Sequence, residues 1–120
     1  MTPGRLRRLA YAASLATALA IAVLTLMPAP SLPNAPGGDK LHHFLAFAAL
    51  VFPVVAVRPR AGLWMVPGAI LFGGAIELIQ PHVGRHGEWA DVLANATGAL
   101  IGAALAWAVH GAWRGLLRRG

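Results

Sequence analysis

The chain of 120 residues contains no cysteine. This absence excludes a disulfide framework, a thiol nucleophile and a cysteine-based metal site. Acidic residues are also scarce, because only four aspartates and glutamates accompany ten lysines and arginines. The HExxH pattern, which places two metal-binding histidines on one helix, does not occur. The sequence therefore carries no dense metal-ligand motif.

The composition favours a membrane protein. Hydrophobic residues make up 58% of the chain, charged residues make up 12%, and the mean hydropathy is +0.64. So little polar surface cannot solvate a globule, and we predict one integral membrane domain over residues 1–120 with a lipid-facing exterior. The net charge of +6 does not indicate nucleic acid as a partner, because the arginines flank apolar segments instead of lining a polar face with aromatic residues.

Four apolar segments are separated by clusters of proline and glycine. They cover about residues 6–27, 41–57, 63–80 and 88–109. Each is close to the length of about 17–25 residues that a transmembrane helix needs, so we predict an all-α, polytopic membrane protein with a bundle of four transmembrane helices. A cleaved signal peptide is the alternative for the first segment. Its apolar run exceeds the usual length of about 7–15 residues for such peptides, which favours a retained helix.

Positive charge predicts the orientation of the helices. Eight of the ten basic residues precede the first segment, separate the second from the third, or follow the fourth. They are Arg5, Arg7, Arg8, Arg58, Arg60, Arg114, Arg118 and Arg119. We term this side of the bundle the arginine-rich end. Because basic loops remain in the cytoplasm, we predict cytoplasmic termini in a protein of the inner (plasma) membrane.

The opposite side of the bundle, which we term the acidic end, contains Asp39, Glu77, Glu88 and Asp91 together with four of the five histidines. Asp39 is the predicted N-cap of the second helix. His43 follows four residues later and therefore lies on the same helix face. A structural histidine that reaches water or a neighbouring residue is the alternative to a ligand-binding one.

Glu77 lies near the end of the third segment, where two effects disfavour a carboxylate. A charge inside a membrane is costly unless it is paired, and the C-terminal end of a helix dipole repels negative charge. The preceding Gly73 and Gly74 allow another helix to approach closely, so we predict that Glu77 lies at a helix contact. The structural alternative is that Glu77 joins two helices by pairing with Arg85 or Lys40.

The fourth segment carries a polar and small-residue stripe. Its members recur at spacings of three and four residues, which places them on one helix face toward the rest of the bundle. They are Glu88, Asp91, Asn95, Gly98 and Gly102. Asn95 is predicted to need a hydrogen-bond partner across the bundle. The two glycines form a GxxxG pattern, which indicates close helix packing.

These motifs together resemble the VanZ-like membrane proteins. The resemblance covers about residues 39–104 and rests on four fragments in order. They contain Asp39, Lys40, His43 and Phe44; Glu77, Leu78 and Gln80; Gly84 and Arg85; and Asp91, Asn95, Gly98 and Ala99. The family takes its name from resistance to glycopeptide antibiotics, chiefly teicoplanin. The resemblance thus implies a cell-envelope protein connected with antibiotic resistance.

The candidate ligand-binding residues come from all of these motifs. They are Asp39, Lys40, His43, Glu77, Gln80, Arg85, Asp91 and Asn95. The function we favour is the binding of a lipid or cell-wall precursor headgroup, with no cofactor. One alternative is an intramembrane enzyme that acts on a lipid-linked phosphate or sugar with a divalent cation bound by Asp39, His43, Glu77 and Asp91. The other is a small proton-coupled exporter, although a transport carboxylate belongs nearer the membrane midplane than Glu77.

The predicted topology can be tested with single cysteines, since the natural chain has none. Arg60→Cys should be protected from a membrane-impermeant thiol reagent in intact cells, whereas His86→Cys should be labelled. Permeabilised cells should label at both positions and so serve as the control. Labelling of position 60 from outside would overturn the orientation.

Overall fold

The computed structural model describes residues 1–27, 38–84 and 88–120. The described part contains four α-helices, two short 3-10 turns and no strand. The helices are α1 (Pro3–Leu26), α2 (Gly38–Val57), α3 (Gly62–Ile79) and α4 (Trp89–Arg119), and the 3-10 turns are Pro59–Ala61 and Gln80–Val83. All four helices are long and apolar enough to cross a membrane. The predicted fold class, an all-α bundle of four such helices, is confirmed.

The helix ends differ in how closely they follow the sequence pattern. Thr2 caps α1, with its hydroxyl oxygen accepting a hydrogen bond from the Arg5 backbone N–H at 3.2 Å. α2 begins at Gly38, so Asp39 lies within its first turn and the predicted N-cap role of Asp39 is wrong. α4 continues to Arg119, well past the predicted end of the fourth segment near residue 109. At 31 residues it is roughly 46 Å long.

The helices bury small and β-branched side chains against each other and expose large apolar ones. The core contains Phe47, Val51, Val54 and Val55 of α2 together with Ala99, Ala103 and Ala106 of α4. Large leucines such as Leu63, Leu71 and Leu78 are about three-quarters exposed. An exterior of this kind suits hydrocarbon as its solvent and would be costly in water.

α2 is the central helix, because it contacts each of the other three. Its most extensive contact is with α4, where the two backbones approach closely at Gly98 and Gly102. A Cβ atom on Gly98 would collide with the backbone carbonyl of Phe44, and one on Gly102 would lie 2.5 Å from the carbonyl oxygen of Ala48. The close packing predicted from the GxxxG pattern is therefore confirmed.

At the arginine-rich end, side chains bind the backbone at the end of α2 and in the turn that follows it. The indole N–H of Trp107 donates to the Pro59 carbonyl at 2.9 Å. His110 Nδ1 lies 2.8 Å from the Ala56 carbonyl and must carry a proton, because a carbonyl oxygen only accepts. The Arg58 guanidinium donates to the hydroxyl of Tyr11 on α1 at 3.2 Å. These bonds connect three helices at this end.

Gly98→Ala should destabilise the bundle, because the new methyl group would force the α2 and α4 backbones apart. Overpacking of this kind costs about 1–3 kcal/mol, and the thermal unfolding midpoint in detergent, followed by circular dichroism, should fall. Gly111→Ala is the matched control on the same helix, since no described atom beyond its own helix backbone lies within 4 Å of the added Cβ. That control should be neutral or stabilising by up to about 1 kcal/mol. Equal effects of the two substitutions would contradict the close approach.

Candidate functional site

Among the described residues, three helices each bring one buried ionisable side chain to the acidic end. His43 lies in the second turn of α2, Glu77 in the last turn of α3, and Asp91 in the first turn of α4. All three residues are more than nine-tenths buried. One nitrogen or oxygen atom from each lies within 4.8 Å of the other two. The structure thus joins residues that are 34 and 14 positions apart in the sequence.

Asn95 orients the imidazole of His43. The amide oxygen Oδ1 of Asn95 lies 2.9 Å from His43 Nδ1. Because this oxygen only accepts, Nδ1 carries the proton and the second ring nitrogen, Nε2, keeps a free lone pair when the ring is neutral. Nε2 lies 3.9 Å from Asp91 Oδ2. The predicted need of Asn95 for a partner across the bundle is confirmed.

Glycine at position 73 makes room for this arrangement. A Cβ atom there would lie 2.8 Å from Asn95 Nδ2 and 3.2 Å from the Phe47 ring. The amide of Asn95 therefore packs directly against the α3 backbone, as the close helix approach predicted at Gly73 requires. The neighbouring Gly74 has no such role in the described structure, since a Cβ atom added there would meet no neighbouring atom within 4 Å.

The carboxylate of Glu77 is bound by the start of α4. Its Oε2 accepts a hydrogen bond from the Glu88 backbone N–H at 2.9 Å. Glu88 is the N-cap residue of α4, so this carboxylate lies at the positive end of the α4 dipole. That position offsets the repulsion that Glu77 experiences at the C-terminal end of its own helix. The predicted location of Glu77 at a helix contact is confirmed.

Lys40 lies at the rim of the site, with a largely exposed side chain. Its ammonium nitrogen is 3.0 Å from Glu88 Oε2 and 3.8 Å from Asp91 Oδ1. The exposed pair with Glu88 contributes little to stability, about 0–1 kcal/mol. Among the described residues, Lys40 therefore pairs with the acids of α4, whereas the pairing of Glu77 with Arg85 stays a prediction because Arg85 lies outside the described residues.

Gln80 is buried, but its contact connects α1 to the turn after α3. Its side-chain N–H donates to the Thr25 backbone carbonyl at 3.1 Å. No side-chain hydrogen bond between described residues joins Gln80 to the His43, Glu77 and Asp91 group. Of the eight candidates, five are thus assembled around one site: Lys40, His43, Glu77, Asp91 and Asn95. Arg85 and the side chain of Asp39 lie outside the described part of the structure, and a ligand-binding role stays a prediction for all eight.

Two contacts were not predicted from the sequence. One involves Glu88, whose backbone N–H donates to Glu77 Oε2 and whose side chain pairs with Lys40. The only signal for this was its place at the start of the fourth helix. The contact of Thr25 uses a backbone carbonyl, which every residue possesses, so the sequence held no signal for it.

Four buried polar atoms lack a hydrogen-bond partner among the described residues. They are Glu77 Oε1, Gln80 Oε1, Asp91 Oδ1 and Asn95 Nδ2. Leaving such an atom unsatisfied costs about 1–3 kcal/mol, and more when it is charged. Three of the four belong to the assembled site. Together with the neighbouring Glu88, the described part of the site carries three acidic side chains and one lysine. The site is therefore suited to a cation or to groups that donate hydrogen bonds.

Comparison with known proteins identifies the family. The VanZ/LLP1 family model matches residues 6–110. The matched region includes all of the assembled site and most of all four helices. No curated protein and no solved structure is significantly similar to the chain. The predicted VanZ-like family is confirmed, and the chain is therefore a multi-pass membrane protein that belongs to the VanZ/LLP1 family.

Proposed function

We propose that this protein binds the polar headgroup of a lipid or lipid-linked cell-wall precursor at its acidic end, which faces outward from the inner (plasma) membrane. The observation that carries the proposal is the set of buried, unsatisfied polar atoms contributed by α3 and α4 behind the exposed Lys40. A bound headgroup would supply the hydrogen bonds that these atoms lack.

The depth of the site supports a headgroup as its ligand. His43, Glu77 and Asp91 all lie within two turns of a helix end. Two turns correspond to roughly 11 Å, so these groups approach the boundary of the hydrocarbon layer instead of its midplane. This depth also weighs against a proton-coupled exporter, whose essential carboxylate belongs at the midplane.

The polar atoms indicate which headgroups would fit. The unsatisfied oxygens of Glu77 and Asp91 accept hydrogen bonds from hydroxyl or amine groups, and Asn95 Nδ2 donates one. Lys40 at the rim offers a positive charge to a phosphate. A headgroup in which a phosphate adjoins a sugar or an amine combines these features.

A metal-dependent membrane enzyme is the second candidate. The observation in its favour is the group of one imidazole and two carboxylates, which is a typical ligand set for a catalytic metal. Such an enzyme would act on the same class of lipid-linked phosphate or sugar. Turnover of a lipid-linked diphosphate by the purified protein would favour this candidate over simple binding.

Asp91→Asn should weaken headgroup retention, because it removes a buried charge while preserving the size of the side chain. The measurement is native mass spectrometry of the protein released from nanodiscs that contain a lipid-linked cell-wall precursor. His42→Gln, which changes an exposed residue beside the site, should retain the wild-type amount of lipid. Equal retention by wild type and Asp91→Asn would contradict the proposal, as would failure of the wild type to retain any precursor.

The resistance phenotype suggested by the family can be tested separately. If the site acts in teicoplanin tolerance, Glu77→Gln should abolish tolerance in a susceptible host that expresses the protein, while the amount of protein in the membrane stays unchanged. Tolerance is measured as the minimal inhibitory concentration, and abundance by immunoblotting of membranes. Parallel loss of protein and tolerance would indicate that Glu77 only supports the fold.

A further inference from the structure

We infer that His43, Glu77 and Asp91 form a binding site for one divalent cation, of the class of Zn²⁺ or Mn²⁺. The inference deepens the proposed headgroup function. It rests on that function only for the identity of the molecule that the cation would hold, a lipid headgroup. The cation site itself stands on the geometry of three side chains from three helices.

The distances suit a first coordination shell. Ligand atoms at about 2.1 Å from a tetrahedral metal are roughly 3.4 Å apart. His43 Nε2 and Asp91 Oδ2 are 3.9 Å apart, and all three ligand atoms lie within 4.8 Å of one another. Small rotations of the two carboxylates would bring these atoms to coordination distance. A nitrogen ligand combined with carboxylate oxygens suits Zn²⁺ or Mn²⁺.

The hydrogen bond from His43 to Asn95 prepares the imidazole for a metal. A metal-binding histidine usually donates its other ring N–H to an oxygen acceptor, which fixes the tautomer and the ring orientation. Here Nδ1 donates to Asn95 Oδ1 at 2.9 Å, so that the lone pair on Nε2 faces the Asp91 carboxylate. Asn95 is therefore assigned as a positioning residue.

The unsatisfied carboxylate oxygens are a second, independent observation. Glu77 and Asp91 are each more than nine-tenths buried, and each has one buried oxygen that accepts no hydrogen bond from the described residues. Nearby, the lysine ammonium reaches no closer than 3.8 Å to Asp91 and remains largely exposed. A divalent cation would balance both negative charges at once, which removes the cost of holding two carboxylates together at the membrane boundary.

A cation at this position would also reconcile an acidic site with an anionic headgroup. Three protein ligands leave at least one coordination position open on a four-coordinate metal. A phosphate oxygen of the headgroup could take that position, while Lys40 at the rim contacts the same phosphate group. The cation would then bridge the buried carboxylates and the phosphate, which they would otherwise repel.

The test uses the full chain, purified in detergent without a polyhistidine tag, stripped with EDTA and titrated with ZnCl₂ or MnCl₂ alone. Mass spectrometry of the metal content should find one tightly bound ion per chain, and the ion should raise the thermal unfolding midpoint. His43→Gln should abolish the tight site, whereas the neighbouring His42→Gln should leave it unchanged. Asn95→Leu should lower the metal affinity by about 10–100-fold, the usual effect of losing a residue that positions a metal ligand.

Wild-type protein that takes up neither metal would overturn the inference, as would equal binding by His43→Gln and His42→Gln. If the variants at position 43 aggregate, the absorption spectrum of the wild-type protein with Co²⁺ provides the test instead. Absorption bands of a four- or five-coordinate site with nitrogen and oxygen ligands support the site, and the spectrum of hydrated Co²⁺ overturns it. If the protein still retains the headgroup after EDTA treatment and takes up no metal, the cation site is wrong and the proposed function stands. Metal uptake without headgroup retention supports the cation site and contradicts the proposed function.

Discussion

The close approach of α2 and α4 is the constraint on which the rest of the structure depends. Gly98 and Gly102 let the α4 backbone rest against the carbonyls of Phe44 and Ala48. Phe44 is next to His43 in the chain, and Gly98 lies three residues after Asn95, so this contact sets the register that brings the imidazole to the amide oxygen. A site built from side chains on two helices requires a fixed distance between those helices. The two glycines provide it, because they have no side chain that would hold the backbones apart.

Electrostatics at the helix ends completes the arrangement. The end of α3 and the start of α4 meet at the acidic end, so a carboxylate on the last turn of α3 can accept a hydrogen bond from the backbone N–H of Glu88, the N-cap residue of α4. Among the described residues, Glu77 therefore connects α3 to α4 through a hydrogen bond from a backbone donor, and its pairing with Arg85 stays a prediction. Its second oxygen accepts no hydrogen bond from the described residues.

The sequence predicted the four helices, the helix face formed by Asp91, Asn95 and Gly98, and the close packing of that face, because apolar length and helical spacing determine these features. The N-cap role of Asp39 was predicted wrongly, since helix boundaries shift by one or two residues without changing the pattern. The hydrogen bond between Glu88 and Glu77 and the one between Gln80 and Thr25 each use a backbone group. Backbone groups are the same in every residue, so only the three-dimensional arrangement could show these contacts.

The attachment of α1 has a consequence for sequence divergence. Near its middle, the Ser14 hydroxyl donates to the Leu50 carbonyl at 2.8 Å, and near its end the Thr25 carbonyl accepts from Gln80. One of these bonds needs a hydroxyl on α1, while the other needs only a peptide group. Most of the remaining helix faces outward with exposed apolar side chains. Mutations that exchange one apolar residue for another at the exposed positions of α1 can therefore accumulate almost neutrally, whereas the effects of mutations at the α2–α4 contact depend on each other.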